Sequence, residues 1–352
     1  MAEVEAAGRV SRFSRTTTTV AELARWWLEH DAAHRLRPSS LAQMEARLAP
    51  SRLRELGAAI VGELHPEQIA TWQSRLLTGE AVGDEPRRSP LAAKTVADVR
   101  TVLRQVLASA VDFGLLAANP VDRVKPPRSP RKARRVLDAD GVHRLLDAAD
   151  GYRYGTAVAI LFVQGLRVSE VLGLAWSDVD LENGIVTVRR AVVEVAGKGR
   201  RLGPTKTAGA EGVHRLAPGI VERLRRQRVA QAAERLAAGP LWQSQSYEGV
   251  PVDLVFTRED GGLVARQQVA KAVQRAAEAA GLDPTGLGTH AGRRSVVTAL
   301  YASGVSIEDV ARHVGHSSSA TTAGYVQSFG DRPERTAEVA ARLLDTPLRV
   351  GE

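Results

Sequence analysis

The segment NPVDRVKPPRSPRKARRVLD, residues 119–138, constrains this chain more than any other, because no regular element can run through it. Pro120, Pro126, Pro127 and Pro130 remove backbone donors and fix the backbone, so neither a helix nor an interior strand propagates across them. Pro-rich stretches are extended and semi-rigid instead. The chain is thereby cut in two. Its length of 352 residues favours the same division, since single cores stop growing beyond ~250–300 residues. The expected plan is a loose polar tail over 1–18, a helical domain over 19–118, a linker over 119–137 and a second domain over 138–352.

Upstream of the cut the apolar residues recur at helical spacing. Thr19 and Glu22 have capping-box spacing, and Val20, Leu23, Ala24, Trp27 and Leu28 follow with a period near 3.6. A second helix follows Pro38, carrying Leu41, Met44 and Leu48. A third runs from about Pro66, with Ile69, Trp72, Leu76 and Leu77 on one face. GEAVGDEPRRSP (79–90) reads as a loop. A long helix comes next, with Val96, Val99, Leu103, Val106, Leu107 and Ala110 inward and Lys94, Arg100 and Arg104 off that face. Residues 19–118 thus read as a four-helix domain. Taken alone, its basic residues read as a solvated surface, and a DNA-facing one is favoured only by the motifs of the second domain.

Downstream, helices are expected at 139–148, 154–164, 168–175, 218–237, 266–280, 290–303, 306–313 and 319–326. Between them GIVTVRRAVVEV, a Gly-rich turn and GVHRLAP read as an antiparallel sheet of about three strands. The fold class is mainly α with a small antiparallel β-sheet.

Net charge is +8 with a pI near 10.1, so a polyanion, nucleic acid first, is the expected partner. Lys125, Arg128, Arg131 and Lys132 crowd the linker, and an extended basic strap suits a phosphate backbone as well as it suits a plain tether. There is no cysteine, which removes disulfides, thiolate metal sites and cysteine nucleophiles together. No run approaches the ~20 apolar residues of a membrane span, and the N-terminus lacks a signal-type apolar core, so a cytoplasmic protein without membrane partners is expected.

Four segments carry groups with chemistry: QGLRVSEVLGLAW (164–176), GPTKTAG (203–209), THAGRRS (289–295) and VGHSSSATTAGY (314–325). Arg167 opens a helix that is apolar on most sides, with Glu170 at pairing distance, either an ordinary ion pair or part of a site. Lys206 stands just before a turn, where lysine is usually solvent-exposed. His290 and Arg293 share a helix face, a spacing common by chance. Ser317 and Thr321, near a helix start after His316, suit phosphate contacts or simple caps. Taken together the groups make a complete set. Metal-free phosphoryl transfer needs fixed cations around the phosphate, and two guanidiniums bind its oxygens bidentately. A tyrosine hydroxyl can be the nucleophile, and Lys and His can move the protons. Tyr325 is the candidate nucleophile, and neither metal nor other cofactor is called for.

The order and spacing of these groups resemble the tyrosine recombinase (phage integrase) family. GLRVSEVLGLAWSDVD looks like the first Arg box of that family. THAGRR with HVGHSSSATTAGY looks like the second, the Tyr standing nine residues after the Gly-His. PTKTAGAEGVHRL resembles the lysine hairpin, and residues 19–118, ending in LLAANPV, resemble the helical core-binding domain. The resemblance implies that Arg167 and Arg293 clamp the scissile phosphate while Tyr325 attacks it to form a 3′-phosphotyrosyl link. It implies that Lys206 protonates the leaving 5′-oxygen, that His290 assists the tyrosine proton, and that His316 hydrogen-bonds the phosphate. Glu170 would support the arginine and histidine side chains. The implied partners are double-stranded recombination sites, three further copies of the chain on synapsed DNA, and accessory DNA-bending or directionality proteins. ERTAEVAARLLDTPL would be a tail helix docking on a neighbouring copy or capping its own domain.

Four positions depart from the family pattern. Gln164 stands where a small residue or Thr is usual. Ala291-Gly292 replaces the frequent Asp-Leu, which predicts looser packing around Arg293. Gly212 falls where an Arg or another polar residue often follows the lysine hairpin. Three rival readings stay open: a type IB topoisomerase-like enzyme, a catalytically silent DNA-binding regulator, and a metal hydrolase using His290 and His316. The last lacks carboxylates at ligand spacing.

Overall fold

The computed structural model describes residues 13–81, 88–129, 135–195, 199–205, 212–315 and 322–323. The chain divides into two compact units that part near Lys132.

The first unit is built on four principal helices. Helix α1 (Val20–Trp27) starts on the expected capping box: the Glu22 N–H donates to Thr19 Oγ1 at 3.3 Å and the Thr19 N–H to Glu22 Oε2 at 2.9 Å. It continues through a wider π turn, Leu28–Ala32, before α2 (Pro38–Arg47), α3 (Pro66–Thr78) and α4 (Ala93–Asp112). Every inward residue expected on α4 is fully buried, and Val102 joins them. Residues 50–63, to which periodicity assigns no element, wind into short turns, Pro50–Leu53, Glu55–Ala58 and Val61–Glu63. They deliver Leu53, Leu56 and Val61 to the core. Runs of six and four residues, between Pro50 and Gly57 and between Gly57 and Gly62, are too short to show a helical period.

The second unit is organised around α6 (Gly155–Val163), which follows α5 (Ala139–Ala149). Its sequence GTAVAILFV is apolar on all sides, the mark of an interior helix. Ala157 to Phe162 are each at most 2% exposed. The short helix α7 (Val168–Leu172) comes next, then β1 (Val179–Asp180), β2 (Ile185–Val188), β3 (Ala191–Val195), β4 (Gly199–Gly203) and β5 (Gly212–Arg215). Helix α8 (Pro218–Ala238), β6 (Gln245–Tyr247), β7 (Val250–Val252), α9 (Arg266–Ala279), α10 (Thr289–Ala302) and α11 (Ile307–Val314) complete the order.

The β region departs from the expected single sheet. β2 lies between β1 and β5, antiparallel to both, with Ile185 opposite Arg215 and Val188 opposite Gly212. β3 and β4 form a separate two-stranded sheet. The break falls at Arg189-Arg190, where the Arg190 guanidinium turns inward onto the buried Asp178 carboxylate. A buried arginine needs its partner, and reaching it takes the chain out of the ladder. Gly173 packs on this corner. A Cβ there would lie 2.6 Å from the Arg190 carbonyl oxygen, and α7 ends just before it rather than reaching residue 175. The β6–β7 hairpin was not expected. Its turn, Glu248-Gly249, takes positive φ at both residues, which is type I′ chemistry without the usual Asn or Asp.

Candidate active site

Helix α6 ends at Gln164, and Gly165 then takes φ of 68°. This left-handed residue turns the chain so that Arg167 becomes the N-cap of α7. Glu170, three residues on, does two things at once. Its Oε2 accepts the Arg167 N–H at 2.8 Å, which caps the helix, and its Oε1 accepts from Arg167 Nη1 at 2.7 Å. Glu170 is 2% exposed, and Arg167 is its counter-charge. Arg167 also directs Nη2 toward the carbonyl of Gly315, the left-handed residue that ends α11, at 3.5 Å.

Arg293 comes from α10 and is 2% exposed. Its Nη1 donates to the Gly165 carbonyl at 2.9 Å. The looser packing expected from Ala291-Gly292 is not what the structure has. A Cβ on Gly292 would lie 2.4 Å from the Leu161 carbonyl oxygen, so the missing side chain lets α10 sit directly against α6. Glycine costs some helix propensity here and gains the close approach that buries Arg293.

His290 stands one turn before Arg293 with much of its ring toward solvent. Its pKa is nevertheless lowered, by partial enclosure and then by the guanidiniums of Arg294, Arg293, Arg167 and Arg266. For a ring this exposed the four cations are the stronger argument, because they oppose a further positive charge whatever the burial. The two arginines and the histidine therefore share one electrostatic neighbourhood, although Arg167 and His290 are far apart in sequence.

Two histidines of this neighbourhood escaped the sequence reading. His214 lies inward on β5, opposite Val186 and 9% exposed. Burial lowers its pKa first, followed by His313 and Arg293, with Glu170 acting in the opposite sense. His313, on the last turn of α11, is likewise lowered by burial and by Arg293. The one available signal was strand parity, since the inward face of β5 is Gly212 and His214, and parity does not say what lies opposite.

Among the residues expected to meet DNA, Lys94 pairs with Asp98 and Arg104 with Asp122. Arg100 turns its Nη2 onto the Val121 carbonyl at 2.6 Å and onto that of Val124, so its donors fasten the start of the Pro-rich segment. Val121 is fully buried in the first unit, so the packed part of that unit runs past the expected boundary at residue 118. Lys125 and Arg128 are exposed. At the far end of the segment, the Leu137 N–H donates to Ser295 Oγ at 2.9 Å and Arg294 Nε to the Arg135 carbonyl at 3.2 Å, both on the helix of Arg293. Arg131, Lys132, Lys206, His316, Ser317, Thr321 and Tyr325 lie outside the described residues, as do the expected tail helix and most of the expected helix at 319–326.

Known proteins resemble this chain in sequence and in fold. Residues 135–332 match the phage integrase family. Tyrosine recombinase XerC of Xanthomonas campestris pv. campestris (strain B100) is 28% identical over 289 residues, 80% of this chain and 79% of that protein. Tyrosine recombinase XerD of Xanthomonas axonopodis pv. citri (strain 306) is 30% identical over 246 residues, 68% of this chain and 73% of that protein. The Tn1549 transposon integrase, solved in complex with a circular intermediate DNA, superposes with a TM-score of 0.75 at 17% identity, over 93% of this chain and 99% of that one. At that identity the likeness speaks for the fold. Fold, family match and relatives agree: the chain belongs to the phage integrase family and is a tyrosine-type site-specific DNA recombinase.

Proposed function

We propose that the chain recombines two double-stranded DNA sites through a 3′-phosphotyrosyl intermediate and a Holliday junction, integrating or excising a phage or mobile element. The observation that carries this reading is the convergence of Arg167 and Arg293. Each holds one carbonyl of a left-handed glycine, Gly315 and Gly165 respectively, and each acts on the same His290. Two fixed guanidiniums at one place are what a pentacoordinate phosphate needs for charge neutralisation. The Tyr325 oxygen attacks phosphorus and the bond to the 5′-oxygen breaks. His290 takes part in removing the tyrosine proton, and Lys206 supplies one to the departing oxygen. His316 hydrogen-bonds the phosphate, and Glu170 keeps Arg167 in place. A 5′-hydroxyl from the partner strand reverses these steps, and because the phosphodiester energy is conserved no ATP is consumed.

The first unit serves as the core-type DNA-binding domain. Lys94, Arg104, Lys125, Arg128, Arg131 and Lys132 meet phosphates, as do Ser317 and Thr321 in the second unit. Arg100 contributes by fixing the strap. Four strands are exchanged with one tyrosine for each, so the assembly is a homotetramer on synapsed DNA, aided by accessory bending or directionality proteins. Its place of action is that of the DNA, the cytoplasm.

The test uses DNA flanking the gene, nicked near candidate crossover points to trap cleavage, with Tyr325→Phe and Arg167→Ala beside the wild type. A denaturation-resistant adduct absent from Tyr325→Phe is expected. DNA binding without any adduct would mean a silent regulator, and site-independent relaxation of a supercoiled plasmid would mean a topoisomerase. A crossover site at the borders of an integrated element is expected, and one at a chromosome-dimer locus would reassign the biology.

A further inference from the structure

Gln164 is a polar side chain shut inside the second unit, 3% exposed. Its side-chain amide spans to the far end of β5. With the amide oriented so that each end faces a complementary group, the nitrogen donates to the Arg215 carbonyl at 3.2 Å and the oxygen accepts the Ala217 N–H at 3.1 Å. Its own N–H closes α6 on the Ile160 carbonyl at 2.9 Å. The next residue is Gly165, where a Cβ would lie 3.1 Å from Val314 and 3.4 Å from Val296 on top of a positive φ. The Gly165 carbonyl, so placed, is the one that receives Arg293. Two residues on stands Arg167. The side chain of Gln164 therefore ties the end of α6 to the exit of β5 beside the Gly165 turn, and a small residue or Thr at 164 would reach neither Arg215 nor Ala217.

We infer that Gln164 is a positioning residue of the recombinase site: its amide braces the end of β5 to the Gly165 turn and so sets the carbonyl against which Arg293 is held. It does not touch the phosphate. β5 also carries His214, which lies in the field of Glu170 and Arg293, so the same brace fixes a second neighbour of Arg293. The inference rests on the reading of Arg293 as a phosphate ligand. What it adds is how this chain, which departs from the family at residue 164, keeps that ligand still.

Two variants of the full chain test it. Gln164→Leu keeps the size and loses both bonds. Gln164→Glu has the Gln pattern of one donor and one acceptor only while its carboxyl is protonated, a state that burial extends upward in pH.

The first measurement needs no DNA: proton exchange of the Arg293 guanidinium, followed by NMR in wild type and both variants. At equal pH, exchange about tenfold faster than wild type is expected in Gln164→Leu, and the ratio of Gln164→Glu to wild type should fall toward one as pH falls. Unchanged exchange in Gln164→Leu would overturn the brace. The second is the rate of adduct formation on the trapped substrate. Gln164→Leu should lose about 10- to 100-fold in rate with little change in DNA affinity. The Gln164→Glu rate relative to wild type should climb as pH falls from about 8 to 6. A wild-type rate in Gln164→Leu, or a Gln164→Glu ratio flat with pH, would also overturn it. If the wild type forms no adduct, the role of Tyr325 falls, while the exchange measurement still decides the brace. If Gln164→Leu fails to fold, Gln164→Glu across the pH range supplies both readouts.

Discussion

Glu170 holds Arg167 at two points, its main-chain N–H at 2.8 Å and its Nη1 at 2.7 Å. One carboxylate thus caps α7 and fixes the guanidinium that the helix presents. Gln at 170 can still accept the N–H but leaves Arg167 without its counter-charge. Glu170→Gln should therefore lower unfolding free energy by about 2–4 kcal/mol, as breaking a largely buried pair does. Urea denaturation of Glu170→Gln, Arg167→Ala and the double variant gives the coupling. Additive losses would show that the pair is not the unit described.

Gly292→Ala tests the contact between α6 and α10. On a free helix the exchange would stabilise by about 1 kcal/mol. Here the new methyl meets the Leu161 carbonyl oxygen at 2.4 Å, and backbone rather than a flexible side chain would have to move. A net loss of about 1–3 kcal/mol is expected, with slower adduct formation because His290 and Arg293 ride on the displaced helix. A raised melting temperature would show that the helices are not in contact at this point.

The acid side of the stability profile follows from three histidines. His214, His290 and His313 all have folded pKa values below the ordinary imidazole value. The unfolded chain therefore binds protons first as pH falls, and stability rises with pH through this window. The contribution is complete above about pH 6.5, the unfolded value, and is lost progressively as pH falls through it toward the folded values. Urea midpoints should fall between about pH 7 and 5.5. His214 is the most buried of the three rings, so His214→Leu should flatten the slope more than substitution of either other histidine. An unchanged slope in that variant would mean that His214 is readily charged in the folded protein.

Ser295→Ala removes the acceptor of the Leu137 N–H, a buried donor just past the basic strap. Leaving it unsatisfied costs about 1–3 kcal/mol. Amide exchange at Leu137 should accelerate in Ser295→Ala and return to normal in Ser295→Thr, which keeps the hydroxyl. Equal protection in Ser295→Ala would show that the strap exit is held by Arg135 and Arg294 alone.

Much of this molecule could be read along the chain, because the physics involved is local. The helical period alone put Val96, Val99, Leu103, Val106, Leu107 and Ala110 on the buried face of α4. Thr19 and Glu22 announced the start of α1, since a cap is a contact across three residues. The two compact units part near Lys132, inside the Pro-rich segment, and the order and spacing of the Arg and His boxes resemble those of the family to which the chain belongs.

What tertiary structure decided were contacts between residues far apart in sequence. The sheet splits because Arg190 must reach Asp178, and no strand propensity records that demand. His214 enters the site because its strand register turns it inward toward groups contributed by α7, α10 and α11. Gly292 reads in sequence as a weakness beside Arg293, and becomes a close approach only once the carbonyl of Leu161 is found against it. Arg293 and Gly165 are 128 residues apart, and their hydrogen bond exists only after α6 and α10 have packed. Residue types and spacing determine which groups are available and which helix faces are apolar. Which of those groups meet depends on how buried surfaces fit, and that is a property of the packed chain as a whole.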